Sequence, residues 1–121
     1  KLKDHLYNFD FYSKNMGCGA GNINPYPGEY VLGVVYELDE EEMITMDMKE
    51  DTPRSYIRKE VPIELEDGKI VEKAIAYIAV PETIGYFTPP KKSYLEDIIQ
   101  GCQDNGLPKE WIKKLKNFPT I

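Results

Sequence analysis

A two-residue hairpin signal constrains this chain more than any other feature. Asp67-Gly68 separates SYIRKEVPIEL (55–65) from KIVEKAIAYIAV (69–80), and both stretches have the composition of strands. Asp-Gly favours the tight turns that join antiparallel strands, whereas parallel strands need a long crossover connection. The pair therefore predicts an antiparallel hairpin, in which Pro62 marks an edge position or a bulge.

Two further strands are predicted before this hairpin. HLYNFDFYS (5–13) carries aromatic residues at alternating positions, and EYVLGVVYEL (29–38) is apolar on both faces. Between them, NPYPG (24–28) predicts a turn from its proline and glycine content. The small residues of GCGAG (17–21) predict a place where the backbone can closely approach another group.

Two helices are predicted near the C-terminal end. Ser93 and Glu96 have the spacing of a capping box, and the Asn-Gly pair at 105–106 ends the helix that begins there. Pro108 opens a shorter helix. This order of elements predicts a single α+β domain over residues 1–121, with a mixed, curved, barrel-like β-sheet and a few flanking helices.

Composition excludes several classes of function. The 121 residues are 41% hydrophobic and 30% charged, as in globular domains. The net charge of −6 and the lack of a basic patch argue against nucleic acid as a partner. No apolar stretch approaches the roughly 20 residues of a membrane span. Cys18 and Cys102 lack metal-type spacing, which predicts reduced thiols, a cytoplasmic location and no metal site.

A short helix is predicted between the two strand regions. Asp39 and, three residues later, Glu42 form a helix start with acidic residues in its first turn, and the helix extends to Lys49. Met43 and Glu50 are seven residues apart and therefore lie on the same face. The helix thus predicts a carboxylate at the end of a partly apolar face.

Two interpretations of Glu50 follow from this position. Asp51 and Pro53 break the chain after it, so Glu50 could point from the helix end toward the neighbouring strands. There burial would raise its pKa, which is how a glutamate becomes a useful base near neutral pH. The alternative is an exposed residue paired with Arg54 or Arg58. The spacing alone leaves both open.

Six pieces of the sequence, in this order, carry a resemblance to a known family: PGEYVLGVVYEL, MDMKED, SYIRKEV, AIAYIAV, KKSYLEDIIQGCQDNGLP and EWIKKL. They resemble the γ-glutamylcyclotransferase family, which includes the plant AIG2-like proteins. The resemblance implies that Glu50 matches the family's catalytic base and that Asp51 stands where the family usually has glycine. It also implies substrate contacts by four residues: Tyr77, Tyr94, Gly19 and Ala20. Tyr56 matches a further family tyrosine.

The reaction that the resemblance implies is an intramolecular aminolysis. A γ-glutamyl amino acid or amine cyclises and releases 5-oxoproline, with Glu50 as general acid and base. This chemistry requires no cofactor and no metal. The implied partner is a small-molecule γ-glutamyl substrate, and family members occur as monomers or homodimers.

Other functions remain open from the sequence. The family begins with a strand and a Tyr-Gly-Ser loop that hold the γ-glutamyl group, and no such motif occurs here. The chain is then expected to be a fragment, to use another segment in place of the loop, or to have lost the activity. The alternative function is a non-catalytic ligand-binding or interaction module on the same fold. A third is a cysteine hydrolase with Cys18 as nucleophile and His5 as its base.

Overall fold

The computed structural model describes residues 1–121, which form four strands and three helices. Their bounds are β1 Leu2–Ser13, β2 Cys18–Val31, α1 Glu40–Lys49, β3 Tyr56–Glu64, β4 Ile70–Ala79, α2 Lys92–Asp104 and α3 Lys109–Lys116. β1 pairs with β2 and β3 pairs with β4, both antiparallel. The predicted α+β class is confirmed, with the sheet divided into these two hairpins. None of the helices is long and apolar enough to cross a membrane.

The first hairpin packs against the two C-terminal helices, and we call β1, β2, α2 and α3 the helix-backed half. Their shared core consists of five buried residues: Phe9, Leu95, Cys102, Trp111 and Leu115. α2 and α3 contribute apolar residues at helical spacing, so each helix buries one stripe and exposes the other. The lysines of α3 lie on the exposed side, as their spacing predicts.

A β-bulge interrupts β1 in the middle of this half. Phe9 and Asp10 together lie opposite Gly21 of β2, where regular pairing would place one residue. A bulge re-aims consecutive side chains, and Phe9, Asp10 and Phe11 are accordingly all buried. The regular alternation predicted for residues 5–13 therefore fails at this point.

The second hairpin follows its prediction closely. Gly68 adopts a φ of +86° in the turn between β3 and β4, and the pairing shifts register between Val61 and Ile63, so Pro62 lies at a bulge. This hairpin and α1 form what we call the α1 half. Its strands bury only Val61 and Ala79.

α1 has the predicted start and extent. The Asp39 side chain accepts a hydrogen bond from the Glu42 amide, and the Glu42 side chain accepts one from the Asp39 amide, which completes a capping box. The helix then extends to Lys49, where the prediction ended it.

The strand predicted over residues 29–38 is wrong beyond Val31. Pairing of β2 ends where Val31 lies opposite Leu2, and residues 32–38 belong to no strand because no strand lies beside them. Val35 and Tyr36 are 52% and 69% exposed. Apolar alternation alone is not enough for a strand, which also requires a hydrogen-bonded neighbour.

A predicted turn and a predicted helix cap were also wrong. The turn predicted over residues 24–28 lies inside β2, where the chain bulges opposite Asp4. The bulge satisfies the same proline and glycine preferences that a turn would. The Ser93–Glu96 capping box does not form, since α2 begins one residue earlier with Lys91 as N-cap and no side-chain cap.

Candidate active site

The last turn of α1 determines where Glu50 lies. Glu50 is the C-cap residue, and Asp51 after it has a φ of +52°. The Asp51 amide donates to the Met48 carbonyl at 3.2 Å, and the Thr52 amide donates to the Asp47 carbonyl at 2.9 Å. These are the two hydrogen bonds of a Schellman motif. The motif reverses the chain immediately after Glu50 and ends the helix there.

Asp51 retains the left-handed conformation that glycine favours. Among non-glycine residues, aspartate and asparagine are the ones that visit this region most readily. The Asp51 carboxylate also accepts a hydrogen bond from the Ser55 hydroxyl at 2.8 Å. The departure from the family's glycine therefore leaves the turn intact.

The Glu50 carboxylate is half-buried and has no ionic partner. Arg58 forms its ion pair with Asp47 at 2.7 Å, and Arg54 contacts Asp51 at 3.7 Å. Burial raises the pKa of Glu50, and no charge or hydrogen bond opposes that shift. The arrangement matches the buried interpretation of Glu50 and not the paired, exposed one.

Two tyrosines near Glu50 bond to the backbone of one β2 residue, Gly21. The Tyr56 hydroxyl donates to the Gly21 carbonyl at 2.7 Å, and the Gly21 amide donates to the Tyr94 hydroxyl oxygen at 3.1 Å. Burial raises the pKa of both tyrosines, and the negative charge of Glu50 raises each of them further. Glu50, Tyr56 and Tyr94 therefore form one electrostatically coupled cluster.

Gly21 can occupy this place only because it lacks a side chain. A Cβ atom there would stand 2.2 Å from the hydroxyl oxygen of Tyr7. Burial also raises the pKa of Tyr7, with contributions from Tyr94 and Tyr56. Three tyrosines thus converge on the backbone of Gly21, opposite the β1 bulge.

A buried polar network joins the two halves beside this cluster. The Asn22 amide group donates to the Asp10 carboxylate at 3.1 Å, and Asn24 donates to the other carboxylate oxygen. The Asn22 side-chain oxygen accepts from the Ala79 amide at 2.8 Å. These bonds satisfy polar groups that would be costly to bury alone, and they hold β2 against β4 next to Gly21.

The structure places the predicted substrate-contacting residues in different environments. Tyr94 lies in the Glu50 cluster. The Tyr77 hydroxyl donates to the Asp47 carboxylate at 2.5 Å, and the Gly19 amide donates to the Pro89 carbonyl at 3.1 Å. Ala20 is buried in a small cluster with Phe11 and Ala79. Of the four, Tyr94 alone has a direct link to the cluster that contains Glu50.

Sequence reasoning missed Tyr7 and Gly21 as members of the cluster and gave Tyr56 no role. Gly21 belongs to the predicted close-approach stretch at 17–21, which was the available signal. Tyr7 belongs to an alternating strand and resembles any core aromatic residue. No sequence pattern connects it to a residue on β2.

The geometry contradicts the cysteine hydrolase alternative. Cys18 pairs with Ser13 at one end of the first hairpin, and His5 pairs with Pro25 near the other end. The eight residue steps from His5 to Ser13 along the strand span roughly 25 Å, so His5 cannot take a proton from Cys18. The His5 Nδ1 atom instead lies 2.8 Å from the Lys3 carbonyl.

Comparison with known proteins identifies the family. Residues 30–115 match the AIG2-like family. The gamma-glutamylcyclotransferase of Bos taurus is 29% identical over 101 residues, which are 83% of this chain and 52% of that protein. The gamma-glutamylcyclotransferase of Mus musculus is 28% identical over 121 residues, which are 96% of this chain and 62% of that protein.

A solved structure titled "Gamma-glutamyl cyclotransferase" has the same fold. It superposes with a TM-score of 0.88 at 26% identity, over 99% of this chain and 72% of that chain. This chain spans 52% and 62% of the length of the bovine and mouse relatives. The matched residues include Glu50, Tyr56 and Tyr94. The chain belongs to the AIG2-like family.

Proposed function

We propose that this chain carries the acid–base centre of a γ-glutamyl cyclotransferase, with Glu50 as the proton-transferring group. The observation that supports it is the half-buried Glu50 carboxylate, which has no ionic partner and a raised pKa, and whose charge raises the pKa of Tyr56 and Tyr94 nearby. An unpaired carboxylate in such a site contributes little to stability and is well suited to proton transfer.

The proposed reaction starts from a γ-glutamyl amino acid or amine. Its α-amine has a pKa of about 8, so at pH 7 it is mostly protonated and cannot attack. Glu50 removes that proton, and the free amine attacks the γ-amide carbonyl carbon to form a new C–N bond. Glu50 then returns the proton to the leaving nitrogen as the amide C–N bond breaks. The ring nitrogen loses its second proton in the same exchange, so the amine leaves in its protonated form and the lactam keeps a single N–H. The products are 5-oxoproline and a free amine or amino acid.

The two tyrosines have different parts in this proposal. Tyr94 accepts a hydrogen bond from Gly21, so its own hydroxyl proton is available for a substrate carbonyl or a developing oxyanion. The Tyr56 proton is already donated to the Gly21 carbonyl, so Tyr56 holds the backbone in place. Tyr94 is thus the proposed substrate-contacting residue, and Tyr56 is a positioning residue.

The proposal also includes a cellular location, a class of substrate and an oligomeric state. Cys18 and Cys102 are both buried and unpaired, which agrees with the predicted cytoplasmic location. We also expect a small-molecule substrate, because the cluster presents one carboxylate and a few hydroxyls and no basic surface. A homodimer stays a prediction from the resemblance.

The test is release of 5-oxoproline from a panel of γ-glutamyl amino acids and γ-glutamyl amines. It uses this chain, a version that includes any residues encoded upstream, and Glu50→Gln in each. We expect the substitution to lower kcat about 10²–10⁴-fold, the range of general acid–base catalysis. Glu40→Gln is the matched control, because Glu40 is exposed in the first turn of the same helix.

Two results would overturn the proposal. Retained activity in Glu50→Gln would remove Glu50 from the chemistry. No release from any version, with γ-glutamyl compounds still bound, would favour the non-catalytic binding module.

The pH dependence of kcat/KM gives an independent test. The reaction requires ionised Glu50, so activity is lost as the pH falls through the pKa of this group. Because burial raises that pKa, we expect the acidic limb above the value of about 4.3 for an ordinary glutamate. A limb at or below that value would contradict the assignment of Glu50.

A further inference from the structure

Helix α1 carries Glu50, yet hydrophobic packing does not hold it in place. None of its residues is buried, and Ile44 and Met48 are 52% and 77% exposed. Most short helices in proteins depend on an apolar face that packs against the core. The apolar face of α1 is only partly buried, through Met43 and Met46, so the direction of Glu50 depends mainly on polar contacts.

Asp47, one helical turn before Glu50, makes the closest of these contacts. Its carboxylate accepts two hydrogen bonds from the Arg58 guanidinium, at 2.8 and 2.7 Å. It also accepts one from the Tyr77 hydroxyl at 2.5 Å. Arg58 on β3 and Tyr77 on β4 are direct cross-strand partners, so one carboxylate attaches α1 to both strands of the hairpin.

The backbone of Asp47 takes part in the turn that follows Glu50. Its carbonyl accepts the Thr52 amide at 2.9 Å, which is one of the two Schellman hydrogen bonds. Asp47 is therefore bonded through its side chain to the sheet and through its carbonyl to the reversal after Glu50. Rotation of α1 about its own axis would break the first set of bonds and strain the second.

We propose that Asp47, Arg58 and Tyr77 form a clamp that orients the catalytic carboxylate, and that Asp47 is its central positioning residue. The proposal deepens the proposed function and rests on it for the catalytic role of Glu50. In it, Tyr77 affects the reaction through Asp47 and does not itself contact the substrate.

The geometry of the clamp suits orientation more than stability. Arg58 and Asp47 are 35% and 27% exposed at their side chains, and partly exposed ion pairs contribute modestly to folding. A bidentate arginine–carboxylate pair nevertheless fixes distance and angle. A displacement of about 1 Å at a catalytic group can lower a rate about 10²-fold.

The experiment compares Asp47→Ala, Asp47→Asn and Tyr77→Phe with the wild-type protein. Arg54→Ala is the matched control, since it removes a nearby arginine whose ion pair with Asp51 is longer and more exposed. Each variant is measured by amide hydrogen exchange over residues 40–55, by thermal unfolding, and by kcat and KM for 5-oxoproline release.

We expect Asp47→Ala to speed exchange in residues 43–52 at least 10-fold and to lower kcat 10- to 100-fold, with KM changed less than 3-fold. Asp47→Asn keeps one acceptor oxygen and replaces the other oxygen with an amide nitrogen of similar size, so it recovers part of the loss. Tyr77→Phe removes one of three bonds and has a smaller effect. Arg54→Ala resembles the wild type, and the unfolding temperatures stay close together.

The exchange and kinetic results separate the two proposals. Unchanged exchange in Asp47→Ala overturns the clamp, even if the protein has no measurable activity. Faster exchange with unchanged kcat overturns the positioning role. Absence of activity in the wild type, with faster exchange in Asp47→Ala, refutes the proposed function and reduces the clamp to a structural contact. A larger change in KM than in kcat for Tyr77→Phe would assign Tyr77 to substrate binding.

Discussion

The two halves of the molecule are stabilised by different interactions. In the helix-backed half, Phe9 and Leu115 are almost completely buried, and aromatic rings pack face to edge, as Phe9 and Phe118 do at 4.9 Å. In the α1 half, no residue of the helix is fully buried, and the Asp47 side chain attaches the helix to the sheet through hydrogen bonds and one ion pair. One half is a hydrophobic core, and the other is a polar framework attached to it.

The Glu50 cluster lies where these halves meet. Gly21 and Tyr94 come from the helix-backed half, whereas Glu50 and Tyr56 come from the α1 half. Packing in the hydrophobic core fixes the positions of Gly21 and Tyr94. The polar attachment of α1 leaves the Glu50 carboxylate partly hydrated and able to titrate. The proposed acid–base group, Glu50, therefore belongs to the half with less hydrophobic packing, and we expect its geometry to be more sensitive to substitution than the fold is.

The largest expected effect tests the contrast in packing directly. Phe9→Ala removes a fully buried ring and should lower the free energy of unfolding by about 3–5 kcal/mol. Met43→Ala, on the partly buried face of α1, should lower it by less than about 1 kcal/mol. Urea unfolding followed by circular dichroism measures both. Similar losses would show that the halves do not differ in packing.

The second prediction concerns the contact between the halves. Gly21→Ala places a Cβ 2.2 Å from the Tyr7 hydroxyl oxygen, so it should cost about 1–3 kcal/mol and lower 5-oxoproline release. Gly101→Ala, inside α2 with open space around it, should be neutral or raise stability by up to about 1 kcal/mol. Thermal unfolding and product release distinguish the pair. If Gly21→Ala is well tolerated, the Tyr7 side chain can move aside at little cost, and the two halves are loosely packed where they meet.

The smallest expected effect lies within the α1 half. Asp51→Ala keeps a Cβ at a φ of +52° and loses the Ser55 hydrogen bond, so it should cost about 1–2 kcal/mol. Asp51→Gly loses the same hydrogen bond but relieves the left-handed strain, so the net change should stay within about 1 kcal/mol. Thermal unfolding compares them. Equal losses would show that the hydrogen bond, and not the backbone conformation, determines the choice of residue.

Local signals predicted much of the fold. The Asp67-Gly68 hairpin and α1 with its Asp39 cap depend on neighbours in sequence, and both formed as expected. The strand over 29–38 depended on a partner elsewhere in the chain, and periodicity contains no information about partners. The bulge opposite Gly21 is equally invisible, because it becomes apparent only when two strands are aligned.

The candidate site, too, could be predicted from the sequence only in part. Glu50 could be singled out from its place at a helix end and from the family resemblance. The resemblance also pointed to Tyr94 and Tyr56, but Tyr7 and Gly21 could not be singled out, since they meet these tyrosines only in the folded chain. Arg58 pairs with Asp47 and not with Glu50, and no sequence pattern indicated which carboxylate it would pair with.

Trp111 is the single tryptophan of the chain, and it lies buried in the helix-backed half with Tyr7 and Tyr30 at 6.5 and 6.2 Å between ring centroids. Tryptophan fluorescence therefore reports on that half and has no probe near α1. A protein whose α1 has come loose would give an unchanged emission spectrum and an unchanged fluorescence melting curve. A fluorescence screen for folded variants would accept such molecules as native although Glu50 has lost the orientation that the proposed reaction requires.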